Sequence, residues 1–137
     1  MKNFTSSTQK IGLLGEEVAC KYLQQHGFSI VERNYTKKWG EIDIIAVKKD
    51  VLYFIEVKAR KVGGSFFEDN HKFFTNQEIR PEENMHAWKM MRLRRVVETY
   101  LINQRIGNVD WRFDLLLVYL DTDNRKARVR VVENIIL

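Results

Sequence analysis

Two short blocks, Glu41-Ile42-Asp43 and Glu56-Val57-Lys58, carry three carboxylates and an amine on either side of a polar segment, Lys48-Lys49-Asp50. Carboxylates that face one another repel, and burial makes the arrangement costlier. A hard divalent cation relieves that repulsion. Mg²⁺ takes oxygen ligands from one or two carboxylates and completes its shell with water and phosphate. An amine beside such a cation can meet the charge that builds on a phosphoryl oxygen, or orient an attacking water. The same charges also fit an ordinary cross-strand cluster. Against that stand Ile44-Ile45 and Phe54-Ile55, whose apolar character predicts central strands rather than exposed ones.

The elements that must position these groups can be read from the pattern. Strands are expected at Ser29 to Asn34, Glu41 to Val47 and Val51 to Arg60. If Lys49-Asp50 is a two-residue turn, Lys48 pairs with Val51, and counting outward sets Asp43 opposite Glu56 and Glu41 opposite Lys58. Strict alternation puts Glu41, Asp43 and Ile45 on one face with Ile42 and Ile44 on the other, and puts Glu56 and Lys58 together. A bulge shifts this by one residue.

Upstream, Ser6 followed by Gln9 has the spacing of a capping box, and Gly27 is placed to end the helix that follows. Ile11, Leu14, Val18, Ala19, Tyr22 and Leu23 cover its apolar arc. Glu16 lies at the edge of that arc and can lean over the sheet, or stand as a partly exposed helix-edge residue. Glu17 projects to solvent with Lys10, Lys21 and Gln24. Lys61 to Glu83 loses the pattern and reads as a long loop or flap. A second helix is expected from Pro81 to about Gln104, with Met90, Leu93, Val97, Tyr100 and Leu101 on its apolar arc. Lys89, Arg92 and Arg95 project elsewhere with Trp88, as a phosphate-contacting stripe or as a solvated face. Trp111 to Leu120 reads as a strand buried on both faces, and Lys126 to Glu133 as a more exposed one. Asp114 is unusual on a buried strand and is expected to anchor a hydrogen-bond network. The order is αβββαββ, an α/β domain with a mixed sheet flanked by helices, spanning residues 1–137.

The chain has 137 residues, 45% hydrophobic and 30% charged, as in a soluble globular domain. No apolar run approaches the roughly 20 residues that span a bilayer. The first residues lack the apolar core of a signal peptide, and one cysteine, Cys20, allows no intramolecular disulfide. Both point to a cytoplasmic protein with no membrane partner. A net charge of +5 favours a polyanionic partner without requiring one. His26, His71 and His86 have no metal-ligand spacing.

Gly15-Glu16-x-x-Ala19, Leu23, Gly27, Asn34, Gly40-Glu41-Ile42-Asp43-Ile44-Ile45-Ala46 and Phe54-Ile55-Glu56-Val57-Lys58-x-Arg60 together resemble the YraN family of bacterial endonuclease-like proteins. The resemblance continues through Lys89, Leu93 and Tyr100-Leu101 to Arg112-Phe113-Asp114. That family is similar to the PD-(D/E)XK nucleases, and among them to archaeal Holliday-junction resolvases. The resemblance implies a restriction-endonuclease-like fold and phosphodiester hydrolysis dependent on Mg²⁺ or Mn²⁺. By position it implies Asp43 and Glu56 as metal ligands, the Val57 carbonyl as a further ligand, Lys58 as the catalytic lysine and Glu16 as a helix-borne acid near the metal. Ile42 stands where the superfamily's name has proline. Arg60 beside the site, with Lys89, Arg92 and Arg95, is then a candidate for contact with DNA.

The function expected is a metal-dependent endonuclease on DNA, branched DNA included, for which a homodimer suits two nicks on a symmetric junction. The alternatives are a non-catalytic nucleic-acid-binding module with the same fold, and a protein-interaction domain using Phe66-Phe67 and Phe73-Phe74.

Overall fold

The Ser6 Oγ accepts the Gln9 N–H at 3.1 Å and the Gln9 Oε1 accepts the Ser6 N–H at 3.5 Å, which closes the expected capping box. Helix α1 (Ser7–Gln25) starts there and ends before Gly27, whose φ of +87° suits a residue without a side chain. The computed structural model describes residues 6–68 and 87–137. After α1 come β1 (Ser29–Lys37), β2 (Gly40–Lys48), β3 (Val51–Lys61), a short α2 (Gly64–Glu68), α3 (Ala87–Asn103), β4 (Trp111–Asp121) and β5 (Lys126–Val132).

The strands form one sheet in the order β1-β2-β3-β4-β5. β3 and β4 run parallel and the other neighbours antiparallel, so the sheet is mixed as expected. Lys49 and Asp50 both have positive φ, 49° and 64°, the signature of a two-residue hairpin turn matched to strand twist. Lys48 pairs with Val51, the register the sequence predicts.

Two cores lie on opposite sides of the sheet. One gathers Leu93, Val96, Val97 and Tyr100 of α3 with Phe54, Phe113, Leu115 and Tyr119. The other gathers Ala19, Cys20 and Leu23 of α1 with Ile44, Ile55, Leu116 and Val118. β4 supplies both, and every residue from Phe113 to Asp121 is buried. Asp114 tethers the chain after β5, its Oδ1 accepting the Asn134 N–H at 2.8 Å.

Three local readings need correction. In the stretch read as a loop or flap, Lys61 still belongs to β3 and Gly64–Glu68 is helical. There Phe66 stacks on Tyr119 with ring centroids 4.7 Å apart, and Phe66 and Phe67 both pack on the α3-side core, so this aromatic pair pins the segment. Residues 69–86, with Phe73, Phe74 and the expected start of the second helix at Pro81, lie outside the described residues. On α3, Val96 joins the apolar arc, fully buried. On α1, Leu14 is exposed, whereas Gly15 is buried at the centre of the contact face.

Gly15 decides how closely α1 approaches the sheet. A Cβ there would lie 2.3 Å from the Ala59 Cβ of β3, well inside contact distance. Alanine favours a helix over glycine by about 1 kcal/mol, but overpacking a fitted contact costs about 1–3 kcal/mol. Gly15→Ala is therefore expected to lower stability to urea. Adding Ala59→Gly should return part of the loss, and strictly additive effects in the double-mutant cycle would show that the helix does not seat there.

Candidate metal centre

Asp43 and its neighbours depart from strict alternation. On β2, Ile45 belongs to the α3-side core while Ile44 and Ala46 belong to the α1-side core, yet Ile42 returns to the α3 side. The phase therefore slips by one residue around Asp43 and Ile44. β1 slips in step: Arg33 and Asn34 both turn toward α1, before Tyr35 enters the α3-side core. Asn34 makes this possible by adopting a left-handed φ of 54°, a conformation asparagine tolerates better than most residues. The ladder runs through Arg33↔Ile44 and Tyr35↔Ile42, so the two slips lie side by side. The expected grouping of Ile42 with Ile44 is thus wrong, while Glu41 and Asp43 do share the face beneath α1.

The slip delivers Asp43 to Glu16. The Glu16 carboxyl lies close enough to those of Asp43 and Glu41 for both to affect its titration. With its amide nitrogen turned toward the carboxylates, Asn34 donates to Glu41 Oε1 at 3.0 Å and Glu16 Oε1 at 3.3 Å. Arg33 reaches Glu17 at 2.8 Å and holds the adjacent glutamate on the outer side of the helix. Of the two glutamates, Glu16 is the one over the sheet, one of the two positions that the helical spacing left open. Asn34 was noted in the sequence only as part of a pattern, and its bridging position follows from a backbone angle that no spacing reveals.

From the other strand, the Val57 N–H donates to Asp43 Oδ2 at 2.7 Å. The resemblance implied a role for the Val57 carbonyl, but the contact made here is through its amide. Desolvation pushes the Asp43 carboxyl up to about 7, against the pull of that hydrogen bond, with the charges of Glu16, Glu56 and Glu41 adding to the rise. Burial likewise raises Glu16, with Arg33 opposing. Glu56 and Lys58 look toward α3. Lys89 Nζ lies 2.9 Å from Glu56 Oε1, whose side chain is 15% exposed. The other Glu56 oxygen is buried with no hydrogen-bond partner among the described residues. Burial and the neighbouring Lys89 lower the Lys58 ammonium, while Glu56 opposes them.

The cations expected to form one stripe are divided. Lys89 joins Glu56 and Lys58, whereas Arg92 and Arg95 turn toward Trp88 and Trp39. Lys89 is about 100° around the helix from Trp88, and Arg92 and Arg95 are within about 40° of it. Arg60 is exposed two residues beyond Lys58 and already has an interaction of its own.

Among the described residues, no three His, Cys, Asp or Glu side chains form a complete ligand set. Asp43 and Glu56 nevertheless fit a cation such as Mg²⁺, which needs only one or two carboxylates and fills its shell with water and phosphate. Burial raises the pKa of Asp43 to about 7, and Glu56 keeps a buried oxygen with no hydrogen-bond partner among the described residues.

These features define an α/β domain with a five-stranded mixed sheet flanked by helices, in keeping with a restriction-endonuclease-like fold, and with an acid cluster where β2 slips phase. Residues 15–118 match the model of the Uncharacterised protein family UPF0102, and the chain belongs to that family. This is the YraN family that the motifs resemble. A UPF0102 protein of Alkaliphilus oremlandii (strain OhILAs) is 39% identical over 128 residues, covering 92% of this chain and 97% of that one. One from Clostridium perfringens is 32% identical across 98% of this chain and 97% of its own. Another, from Campylobacter jejuni, is 36% identical across 80% and 84%.

The raised Asp43 value has a consequence for stability in chelator. Between 3.8, the ordinary value, and about 7, the folded chain holds a proton that the unfolded chain has lost. Stability therefore falls as pH rises through that window and levels off above it. Asp43→Asn should flatten most of the slope and stabilise the protein at pH 8, as read by thermal unfolding. Adding Mn²⁺ at pH 8 should raise the wild-type melting temperature and leave that of Asp43→Asn nearly unchanged. An unchanged slope in Asp43→Asn would place the titrating group elsewhere.

Proposed function

We propose that this protein is a Mg²⁺- or Mn²⁺-dependent endonuclease that hydrolyses DNA phosphodiester bonds, with branched DNA as its substrate class. One observation carries the reading: burial raises the Asp43 carboxyl to about 7, and the charges of Glu16, Glu56 and Glu41 add to that rise, with Lys58 beside Glu56. That arrangement costs stability unless a cation relieves it.

Asp43 and Glu56 would hold the metal, with Glu16 close by and the Val57 carbonyl a candidate further ligand. The bound cation would polarise a phosphoryl oxygen and lower the pKa of an attacking water. Asp43 is kept in place by the Val57 N–H, so its second oxygen can turn outward. Glu16 is set by the seating of α1 at Gly15 and by the Asn34 bridge. Lys58, standing beside Glu56, orients the water and meets the charge that develops on the phosphoryl oxygens as water attacks phosphorus and the ester oxygen departs. A homodimer, bringing two such sites to a two-fold junction, belongs to the same proposal.

A second reading is favoured by the Lys89–Glu56 ion pair at 2.9 Å. A lysine that already neutralises Glu56 also suits a nucleic-acid-binding module that does not cleave.

Purified protein on linear, flapped and four-way-junction DNA separates the two. Cleavage in Mg²⁺ or Mn²⁺ is expected from the wild type, with Asp43→Ala and Lys58→Ala each reducing it by about 100-fold or more. Salt-sensitive binding without cleavage in either metal would favour the second reading. Equal cleavage by wild type and both variants would mark a contaminant and defeat the assignment.

A further inference from the structure

A groove of about 530 Å³ opens where the β1–β2 turn meets α3, lined by Lys38, Trp39, Trp88, Met91, Arg92 and Arg95. Among the described residues its charged groups are all cations. Arg95 lies with its guanidinium 4.1 Å from the Trp39 ring centroid, and Arg92 lies 4.9 Å from that of Trp88. Neither arginine forms an ion pair among the described residues, whose pairs are Arg33–Glu17, Lys89–Glu56 and Arg94–Glu98. The Trp39 Nε1 is buried and has no acceptor among those residues. Trp88 is 57% and Met91 72% exposed, so a broad apolar surface lies beside the cations. The wall is firm. A Cβ on Gly40 would come within 3.1 Å of the Val96 Cγ2, which shows how closely the turn is seated on α3.

We infer that this groove binds an unpaired nucleotide of a nucleic-acid strand, its phosphates against Lys38, Arg92 and Arg95 and its base against the indole surfaces. Cations alone would serve an intact duplex, which presents phosphates and keeps its bases stacked inside. Flat aromatic surfaces add affinity only where a base face is free, as in a single strand, a flap or an opened junction. Arginine held over an indole keeps its charge beside the ring face. Trp39 is four residues before Asp43, about 13 Å along an extended chain, so a strand held here stays within a few nucleotides of the acid cluster. The inference rests on the nuclease-type reading of that cluster for its substrate class, but it concerns binding and can be tested without cleavage.

The test uses the full chain in chelator, with fluorescence anisotropy for binding and indole emission as a direct reporter. The DNA probes are a short oligothymidine, a duplex with a single-stranded flap, and the same duplex with blunt ends. The expected result is that Arg95→Ala, Trp88→Ala and Trp39→Phe weaken the flap and oligothymidine, Arg95→Ala and Trp88→Ala by about 10-fold or more, while blunt-duplex binding changes several-fold less. Oligothymidine should quench indole emission, and Trp88→Phe should reduce that quenching. Because Trp88 and Arg95 lie on the surface, those two variants keep the test valid if Trp39→Phe disturbs folding. Equal weakening on all three probes, or binding without quenching, would overturn the inference. So would a fall in molar mass by light scattering in Arg95→Ala, which would make the groove an interface between copies. Binding and quenching are read in chelator, where no metal-dependent cleavage occurs, so failure of cleavage and failure of this subsite are read separately.

Discussion

The site depends on forcing carboxylates against a sheet that is apolar on both sides. β2 and β3 run between two helix-covered cores, so a regular strand there offers no polar side for an acid to face. The phase slip at Asn34 and Asp43 creates one. It turns Asp43 from the succession of buried isoleucines toward Glu16 and Glu41, and Asn34 fills the space between those two acids. The Val57 amide then locks the aspartate from the neighbouring strand. Without the slip, strict alternation would set Asp43 on the side of Ile45, in the α3-side core and away from α1.

Closeness of packing matters as much as strand phase. Glu16 reaches the acid cluster because its neighbour Gly15 lets the helix backbone come against Ala59. The same glycine explains an error in reading the helix. A hydrophobic arc counts side chains, and glycine has none, so Leu14 was assigned to the contact face while Gly15, the residue in contact, went unweighted. The hairpin register was legible because a two-residue turn fixes pairing by geometry alone, and Lys48 duly meets Val51. The face of each residue beyond it was not legible, because it turns on a left-handed φ at Asn34 that many sequences could place elsewhere. The double burial of β4 was legible from unbroken apolar character, and Asp114 within it marked a tether to Asn134.

Charge around Glu56 is arranged as a competition. Lys89 takes one of its oxygens and leaves the other buried without a described partner. Two ammonium groups, Lys58 and Lys89, lie near that carboxylate, and Lys89 makes Lys58 costlier to charge. A divalent ion arriving between Asp43 and Glu56 would repel Lys89 and compete for its oxygen. The ion pair keeps a largely buried carboxylate from standing alone.

Helix α3 carries both the partner of Glu56 and the cationic surface, and helical geometry sets the division. Lys89 points inward to Glu56, while Trp88, Arg92 and Arg95 follow one another along a face about a quarter-turn away. A single stripe of positive charge, as the sequence suggested, would have served only to attract a polyanion. Splitting it assigns one cation to the acids and leaves two over indole rings beside the β1–β2 turn. That turn leads directly into β2, so Trp39 is joined to the strand that carries Asp43. Gly40 seats the turn on Val96, so the groove and the aspartate are fixed to the same core instead of to separate mobile loops.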